Sequence, residues 1–345
     1  MVGALRSPGR FGRARSADLY GEEVLLSALA GQTCVMTTML SPLLHAGDRV
    51  RLLSPASTPD LPWVQASTTI LESWGLVVEV GEHALDQWGY MAGRDEDRLA
   101  DLNGAFRDPR VRAIITTRGG AGAYRIADGI DFDAVCADPK PVVGFSDITH
   151  LHLALWHNCR VAGIHGALAG ATAATTVRKL LMTTEPLELD RDPGALSAAV
   201  KVSGTATGPL VGGNLTAIAG AREAALGCLD GTILFIENPR TIGLGQVDRA
   251  LTSLLRLGAL EGVRGVVLGL FSGFDDYTDR GWNLVDVLTD RLAVLGVPVL
   301  GGLCAGHGGT GPDGQPDQTA LPLGTVAALD ADAGTISLQP CVHRD

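Results

Sequence analysis

Short runs of apolar residues alternate along this chain with longer segments in which apolar residues recur every three or four positions. The run at 49–53 is followed by a helical pattern at 62–74 and by a second apolar run at 76–80. Continuous apolar runs are typical of buried parallel strands, and a period of 3.6 residues is typical of helices. The alternation therefore predicts βαβ units built around a parallel sheet.

The same alternation continues to residue 164, is interrupted, and resumes in the second half. Further strands are predicted at 111–117, 141–145, 161–164, 231–237, 265–271 and 297–300, and further helices at 95–106, 123–128, 147–156, 246–257 and 283–295. A hairpin is predicted over 325–338. The interruption, roughly 172–207, is polar and rich in small residues, which predicts a linker between two α/β regions.

Composition narrows the class of protein. A chain of 345 residues predicts two domains or one large one. The net charge of −11 argues against nucleic acid or an anionic membrane as a partner, because both repel an acidic surface. No apolar run reaches the roughly 18–20 residues of a membrane-spanning helix. The six cysteines include no C-x-x-C pair, so free thiols are expected rather than a metal or disulfide framework.

The first 45 residues differ from the rest. Four arginines precede a short apolar stretch at 24–30, an order similar to an export signal, but Asp18, Glu22 and Glu23 interrupt it. We expect a loose extension and a cytoplasmic protein, with an export signal as the alternative.

A glycine turn at 118–125 lies between a predicted strand and a predicted helix. Gly119 and Gly120 allow a sharp turn, and the following helix N-terminus offers backbone N–H groups to an anion or an oxyanion. A purely structural turn is the alternative. The G-x-G-x-x-G spacing of a dinucleotide site is absent, so no cofactor is predicted.

Three other positions could contribute chemistry. Glu237 ends a very apolar strand, where either a ligand-binding carboxylate or an ion pair is expected. His307 lies among glycines in a loop, which favours function. Ser146 and Asp147 open a helix, so either is expected to be its N-cap, with Ser146 as a nucleophile the less favoured alternative. His150, His152 and His157 lie near no obvious carboxylate, and no metal site is predicted.

Together, these segments resemble the serine LD-carboxypeptidase family, which includes the microcin C immunity peptidases. The resemblance extends from about Ala46 to Leu338 and rests on the order of its motifs. These are Leu53-Ser54-Pro55-Ala56-Ser57, Gly93-Arg94-Asp95-Glu96-Asp97-Arg98-Leu99, Arg118-Gly119-Gly120, Gly144-Phe145-Ser146-Asp147-Ile148-Thr149, His165-Gly166, Gly212-Gly213-Asn214-Leu215, Leu234-Phe235-Ile236-Glu237, Val247-Asp248-Arg249, Gly306-His307 and Leu321-Pro322-Leu323-Gly324.

The resemblance implies a Rossmann-like parallel-sheet N-terminal domain and a smaller α/β C-terminal domain. The expected divisions are an extension at 1–45, the Rossmann-like domain at 46–170, a linker at 171–207 and the C-terminal domain at 208–345. It also implies a homodimer that acts without a metal and releases a C-terminal D-amino acid from a small peptide or murein fragment, or that hydrolyses a related small aminoacyl or peptide amide.

The family uses a triad of serine, histidine and glutamate. The resemblance places the histidine at His307 and the glutamate at Glu237. It places the serine at Ala123, after the Gly119-Gly120 pair, so the nucleophile is expected to be missing; the neighbouring Tyr124 is a poor substitute because phenol has a pKa near 10. Gly119, Gly120, Ser146 and Asp147 are then expected to contact substrate or oxyanion.

Three interpretations follow from this expectation. The protein is a hydrolase in which His307 activates water or in which Ser146 or Tyr124 is recruited. Alternatively it is a catalytically dead protein that binds a peptide or aminoacyl ligand in the same cleft, or the scaffold supports other acyl chemistry.

Overall fold

The structure is a computed structural model and describes residues 37–226, 229–309 and 317–344. Residues 1–36 of the extension expected at 1–45 therefore lie outside the described residues. Residues 38 to 345 group into one compact unit. No helix within the described residues has the length and apolar character needed to cross a membrane.

The described residues alternate between strands and helices, as the apolar pattern predicts. The strands are β1 (Ser41–Pro42), β2 (Arg49–Leu53), β3 (Val77–Val80), β4 (Val111–Thr116), β5 (Val142–Gly144), β6 (Gly163–His165), β7 (Leu187–Asp190), β8 (Lys201–Val202), β9 (Thr205–Asn214), β10 (Ile233–Glu237), β11 (Gly265–Leu268), β12 (Val299–Gly301), β13 (Leu321–Leu323), β14 (Val326–Asp330), β15 (Thr335–Leu338) and β16 (Val342–His343). The helices are α1 (Leu61–Ser73), α2 (Asp95–Arg107), α3 (Ala123–Ile126), α4 (Phe132–Ala137), α5 (Thr149–Cys159), α6 (Ala171–Met182), α7 (Leu215–Ala219), α8 (Glu223–Leu226), α9 (Leu244–Arg256) and α10 (Leu284–Leu292).

The first sheet has the order β13-β6-β5-β4-β2-β3. Its strands β2 to β6 are parallel, whereas β13 pairs antiparallel to β6. Helices α1, α2 and α5 alternate with these strands in the chain, so the carboxyl ends of β2 to β6 share one edge. Ligands bind at this edge in open α/β sheets, and it is here that the Gly119-Gly120 turn and Ser146 lie.

The second sheet has the order β7-β15-β14-β9-β10-β11-β12-β8. Its centre, β9 to β12, is parallel, and antiparallel strands flank it on both sides. The β14–β15 pair confirms the predicted hairpin. Glu237 pairs in register with Asn214, so both side chains lie at the carboxyl end of this parallel centre. The predicted α/β class is confirmed.

The stretch expected to be a linker is regular structure. It contains α6, then β7 and β8 at opposite edges of the second sheet. The N-terminus of α6 is capped from far along the chain, because the Asp317 carboxylate accepts the N–H groups of Thr172 and Ala173 at 2.9 Å each. A cap supplied from 145 residues away leaves no local signal.

Two further expectations concern the ends of the chain and the cysteines. Ser41 and Pro42, within the expected loose extension, form β1 and pair with β16. The four cysteines that the described residues include, Cys136, Cys159, Cys304 and Cys341, are free thiols, as expected.

Leu321 tests whether β13 is integral to the first sheet. Its side chain is fully buried, so Leu321→Ala leaves a cavity and should lower the free energy of unfolding by about 2–5 kcal/mol. The control is Val326→Ala on β14, because Val326 is 47% exposed and its truncation should cost less than about 1 kcal/mol. Urea unfolding of both variants measures this, and equal losses would contradict the assignment.

Candidate active site

Ser146 lies at a sharp corner between a strand and a helix. Strand β5 ends at Gly144, residues 146–148 form a 3₁₀ turn, and α5 begins at Thr149. Ser146 has φ of +64°, the left-handed region that side chains other than glycine rarely adopt. Such a conformation costs roughly 1–3 kcal/mol and is found mostly at functional sites. A serine on a strained strand-to-helix turn is the geometry of a nucleophile elbow.

Two glycines make room for this corner. A Cβ at Gly119 would lie 2.6 Å from the Ser146 Cβ and 2.9 Å from the Phe145 carbonyl oxygen. A Cβ at Gly144 would lie 2.4 Å from Thr116 Oγ1. Both are closer than real Cβ contacts. The elbow therefore depends on glycine at these two positions, because the turn after β4 packs against Ser146 and the last residue of β4 packs against Gly144.

Glu237 is a fully buried carboxylate at the carboxyl end of β10. Its Oε2 accepts hydrogen bonds from His307 Nδ1 at 2.7 Å and from the His307 backbone N–H at 3.0 Å. Asn214 Nδ2 donates to Oε1 at 3.2 Å. Burial by itself raises the pKa of Glu237, but the hydrogen bonds and charge of His307 outweigh burial and hold the pKa below its ordinary value. Glu237 is therefore an anion that accepts from His307.

His307 connects this carboxylate to the elbow. Its Nε2 lies 3.1 Å from Ser146 Oγ, within hydrogen-bond distance. Because an ionised Glu237 can only accept, Nδ1 carries the proton and Nε2 is left to accept from the serine hydroxyl. Gly306 lets the loop come close, since a Cβ there would lie 2.5 Å from Glu237 Cγ. Serine, histidine and glutamate thus form one hydrogen-bonded chain.

This geometry differs from the arrangement expected from the sequence. From the sequence, the nucleophile position was expected at Ala123. Ser146 was expected to be a substrate or oxyanion residue, with nucleophile as its less favoured alternative role. In the structure, the hydroxyl group at His307 is that of Ser146. Ala123 is the first residue of α3, is fully buried, and donates its backbone N–H to Asp147 Oδ2 at 2.7 Å. The Gly119-Gly120 turn lies beside the elbow, and the serine itself comes from the next strand.

The other expected site residues surround this chain of hydrogen bonds. Asp147 anchors the glycine turn through Ala123 rather than facing an open cleft, and it is buried. Gly120 has φ of +109°, and a Cβ added at this position would lie 2.3 Å from Ser57 Oγ. Tyr124 is half exposed, and its ring packs edge-on against His150 with centroids 5.8 Å apart.

Three supporting residues were not singled out for chemistry by sequence reasoning. Asn214 orients Glu237, and Thr149 Oγ1 accepts the Asn214 backbone N–H at 3.0 Å, which ties the start of α5 to the end of β9. His165 is fully buried between Phe145 and Phe235, and burial lowers its pKa to about 3, so the ring is neutral. For Ser146 itself, a usable signal existed: a glycine two residues before a serine at a strand-to-helix junction.

A cleft of about 200 Å³ opens beside His307. Most of the described residues around it are small or backbone-only: Ala167, Ala169, Gly306, Gly308 and Gly309, with Phe145, Asp317 and Gln318. Such a wall leaves room for a small group next to the serine and histidine.

One cluster of described side chains could hold a cation. Ligand atoms of His83, Asp86 and Asp97 lie within 4.8 Å of one another, in the loop after β3 and the first turn of α2. His83 Nδ1 is already hydrogen bonded to Asp86 Oδ2 at 2.8 Å. The serine, histidine and glutamate chain needs no metal to activate its hydroxyl, and a metal-free reaction stays an expectation.

The fold and the site define a class of protein: a two-sheet α/β scaffold with a hydrogen-bonded serine, histidine and glutamate at the carboxyl ends of its parallel strands. Family comparison agrees. Residues 50–166 match the LD-carboxypeptidase N-terminal domain, and residues 207–329 match the LD-carboxypeptidase C-terminal domain. The chain belongs to the LD-carboxypeptidase family, whose members are serine-type hydrolases.

Similar proteins cover nearly the same length. A putative carboxypeptidase of Streptomyces coelicolor is 36% identical over 86% of this chain and 94% of its own. A probable murein peptide carboxypeptidase of Bacillus subtilis is 32% identical over 87% of this chain and 94% of its own. The crystal structure of an MccF-like protein from Bacillus anthracis superposes with a TM-score of 0.76 at 22% identity, covering 88% of this chain and all of that one, which shows a shared fold.

Gly119→Ala should damage the elbow selectively. The added Cβ collides with Ser146 and Phe145, so we expect a loss of about 1–3 kcal/mol in unfolding free energy and displacement of the Ser146 hydroxyl. The matched control is Gly104→Ala inside α2, where the nearest atom to an added Cβ is 3.9 Å away and alanine should stabilise the helix by up to about 1 kcal/mol. Thermal unfolding of the two variants and wild type measures these changes. An unchanged unfolding free energy in Gly119→Ala would contradict the inferred collision with Ser146 and Phe145.

Asp147 should make stability depend on pH. Burial raises the pKa of Asp147 to about 6 from 3.8, although the N–H groups of Ala123 and Gly122 oppose the shift. Between these values the folded protein holds a proton that the unfolded chain has released. The unfolding free energy of wild type relative to Asp147→Asn should therefore fall as pH rises through this window, by on the order of 1–3 kcal/mol, and level off above it.

Urea unfolding of both proteins at half-unit pH steps measures this difference. A difference that stays constant from pH 4 to 7 would show that Asp147 does not carry the shifted titration.

Proposed function

We propose that this protein is an active serine LD-carboxypeptidase in which Ser146 is the nucleophile, His307 the general base and Glu237 the residue that orients His307. The observation that supports this most directly is the 3.1 Å contact between Ser146 Oγ and His307 Nε2, together with the 2.7 Å contact between His307 Nδ1 and Glu237. The alternative of a binding protein without turnover rested on the absence of the family serine at position 123. The hydroxyl of Ser146 next to His307 supports turnover over that alternative.

In the proposed reaction, Ser146 Oγ attacks the carbonyl carbon of the scissile amide while His307 Nε2 takes its proton. The C–N bond then breaks, and His307 passes the proton to the leaving amine. A water molecule then attacks the carbonyl carbon of the resulting ester while His307 Nε2 takes a proton from the water. The ester C–O bond breaks, His307 returns the proton to Ser146 Oγ, and the acid product leaves. Glu237 stays ionised throughout and stabilises the imidazolium, consistent with its lowered pKa.

The Gly119-Gly120 turn is the proposed source of oxyanion stabilisation. It packs against Ser146 through Gly119, and the Gly120 N–H donates to no protein acceptor in the parts of the chain that the structure describes. A fixed backbone N–H next to the nucleophile stabilises charge that develops on the carbonyl oxygen. Asp147 contributes indirectly, because it accepts the Ala123 N–H and so fixes the far end of the turn.

The proposed substrate is a murein-type peptide that ends in a small D-amino acid. The name of the Bacillus subtilis relative gives the peptide class. The alanine and glycine wall of the cleft beside His307 fits a small terminal side chain such as that of D-alanine.

Substituting the two candidate nucleophile positions tests the proposal. Wild type should release D-alanine from an L,D-linked murein tetrapeptide, detected by mass spectrometry. Ser146→Ala should lose on the order of 10⁴ to 10⁶ in kcat, because the triad acts as a unit. Ala123→Ser adds a hydroxyl at a buried helix start and should not restore activity to Ser146→Ala.

Two results would overturn the proposal. In the first, wild type and Ser146→Ala hydrolyse the peptide at the same rate. In the second, wild type is inert and the single variant Ala123→Ser gains activity, which would return the nucleophile to position 123.

A further inference from the structure

A second cavity lies next to the catalytic cleft and contains an arginine. Its volume is about 230 Å³, and its lining residues are Pro59, Asp60, Trp63, Arg118 and Ala169. Ala169 also lines the cleft beside His307. The two cavities are therefore neighbours that share a wall residue.

Arg118 joins this cavity to the elbow. It directly precedes Gly119, which lies so close to Ser146 that an added Cβ would be 2.6 Å from the Ser146 Cβ. Arg118 is exposed, and among the described residues its guanidinium makes a long hydrogen bond from Nη1 to the Thr58 carbonyl oxygen at 3.4 Å. Asp60 brings a carboxylate to the same cavity but forms no ion pair with Arg118 among the described residues. The positive charge of Arg118 is thus available to a ligand.

The surroundings of Arg118 are built to hold a group in place. Trp63 Nε1 donates to the Thr117 carbonyl oxygen at 2.5 Å, which fixes the indole beside the residue that precedes Arg118. Thr117 N–H in turn donates to the Leu53 carbonyl oxygen at 2.9 Å. A planar guanidinium on a fixed backbone, beside an aromatic wall, is suited to bidentate recognition of a carboxylate.

We propose that Arg118 binds the free C-terminal carboxylate of the peptide substrate and so makes the enzyme specific for the last residue of a chain. The inference rests on the proposed function. A hydrolase that removes only a terminal residue must recognise the terminus. Arg118 directly precedes Gly119, which packs against Ser146, and it lines the cavity that shares Ala169 with the cleft beside His307. The terminal residue would then span from the cleft beside His307 to the Arg118 cavity, past Ala169.

The test compares two ligands that differ only in the terminal charge. One is a murein tetrapeptide ending in D-alanine, and the other is the same peptide with a C-terminal carboxamide. Binding is measured by calorimetry on Ser146→Ala, so that turnover is not needed. We expect the free acid to bind roughly 10- to 100-fold more tightly than the carboxamide, as for a hydrogen-bonded charge pair.

Adding Arg118→Gln to Ser146→Ala should remove this preference and leave carboxamide binding within about twofold, whereas Arg118→Lys should keep part of it because the charge remains. Arg256→Gln at the end of α9, also an exposed arginine, is the matched control and should retain the full preference. In the enzyme with Ser146, Arg118→Gln should raise KM for the free acid more than it lowers kcat.

The outcomes separate this inference from the proposed function. An Arg118-dependent preference in a protein that does not cleave the peptide would sustain the inference and refute the hydrolase. Equal binding of the two peptides, a preference that survives Arg118→Gln, or binding of neither peptide would overturn the role of Arg118, whether or not the enzyme is active.

Discussion

The buried carboxylate of Glu237 is the constraint on which the site depends. A charge removed from water is costly unless hydrogen bonds compensate it. Here the compensation comes from Asn214 on the neighbouring strand and from both the ring and backbone of His307. The same bonds that stabilise the carboxylate fix the orientation of the imidazole, so Nε2 is directed at Ser146. Satisfying one buried charge thereby sets the geometry of the hydrogen-bonded chain from Glu237 through His307 to Ser146.

Close packing transmits this constraint to the first sheet. Gly306 and Gly119 permit approaches that any side chain would block, at Glu237 and at Ser146 respectively. The hydrogen bond from the Asn214 backbone to Thr149 ties the start of α5 to the end of β9. Ser146 can therefore keep its strained φ of +64° because the structure on both sides of it is fixed. Ser146 and His307 follow strands of different sheets, yet their separation is set by backbone contacts.

Much of the fold could be predicted from the sequence because its signals are local. Strand β2 was predicted at its observed bounds, and the hairpin of β14 and β15 followed from its turn. Helix α6 was missed since its N-terminal cap is Asp317, far along the chain. Strand β13 could not be assigned to the first sheet, because pairing between distant segments has no local pattern.

The site divides in the same way. By itself, the sequence determined the family and the α/β class, and it pointed to Glu237 and His307 as candidates, since a strand-end carboxylate and a histidine in a glycine-rich loop are local features. Only the tertiary structure decided which residue meets His307. The choice between positions 123 and 146 depends on how two neighbouring strands place their turns in space, and both turns follow a strand and open a helix. Ser146 reaches the imidazole because Gly119 lets the two turns pack together, a contact between residues distant in sequence.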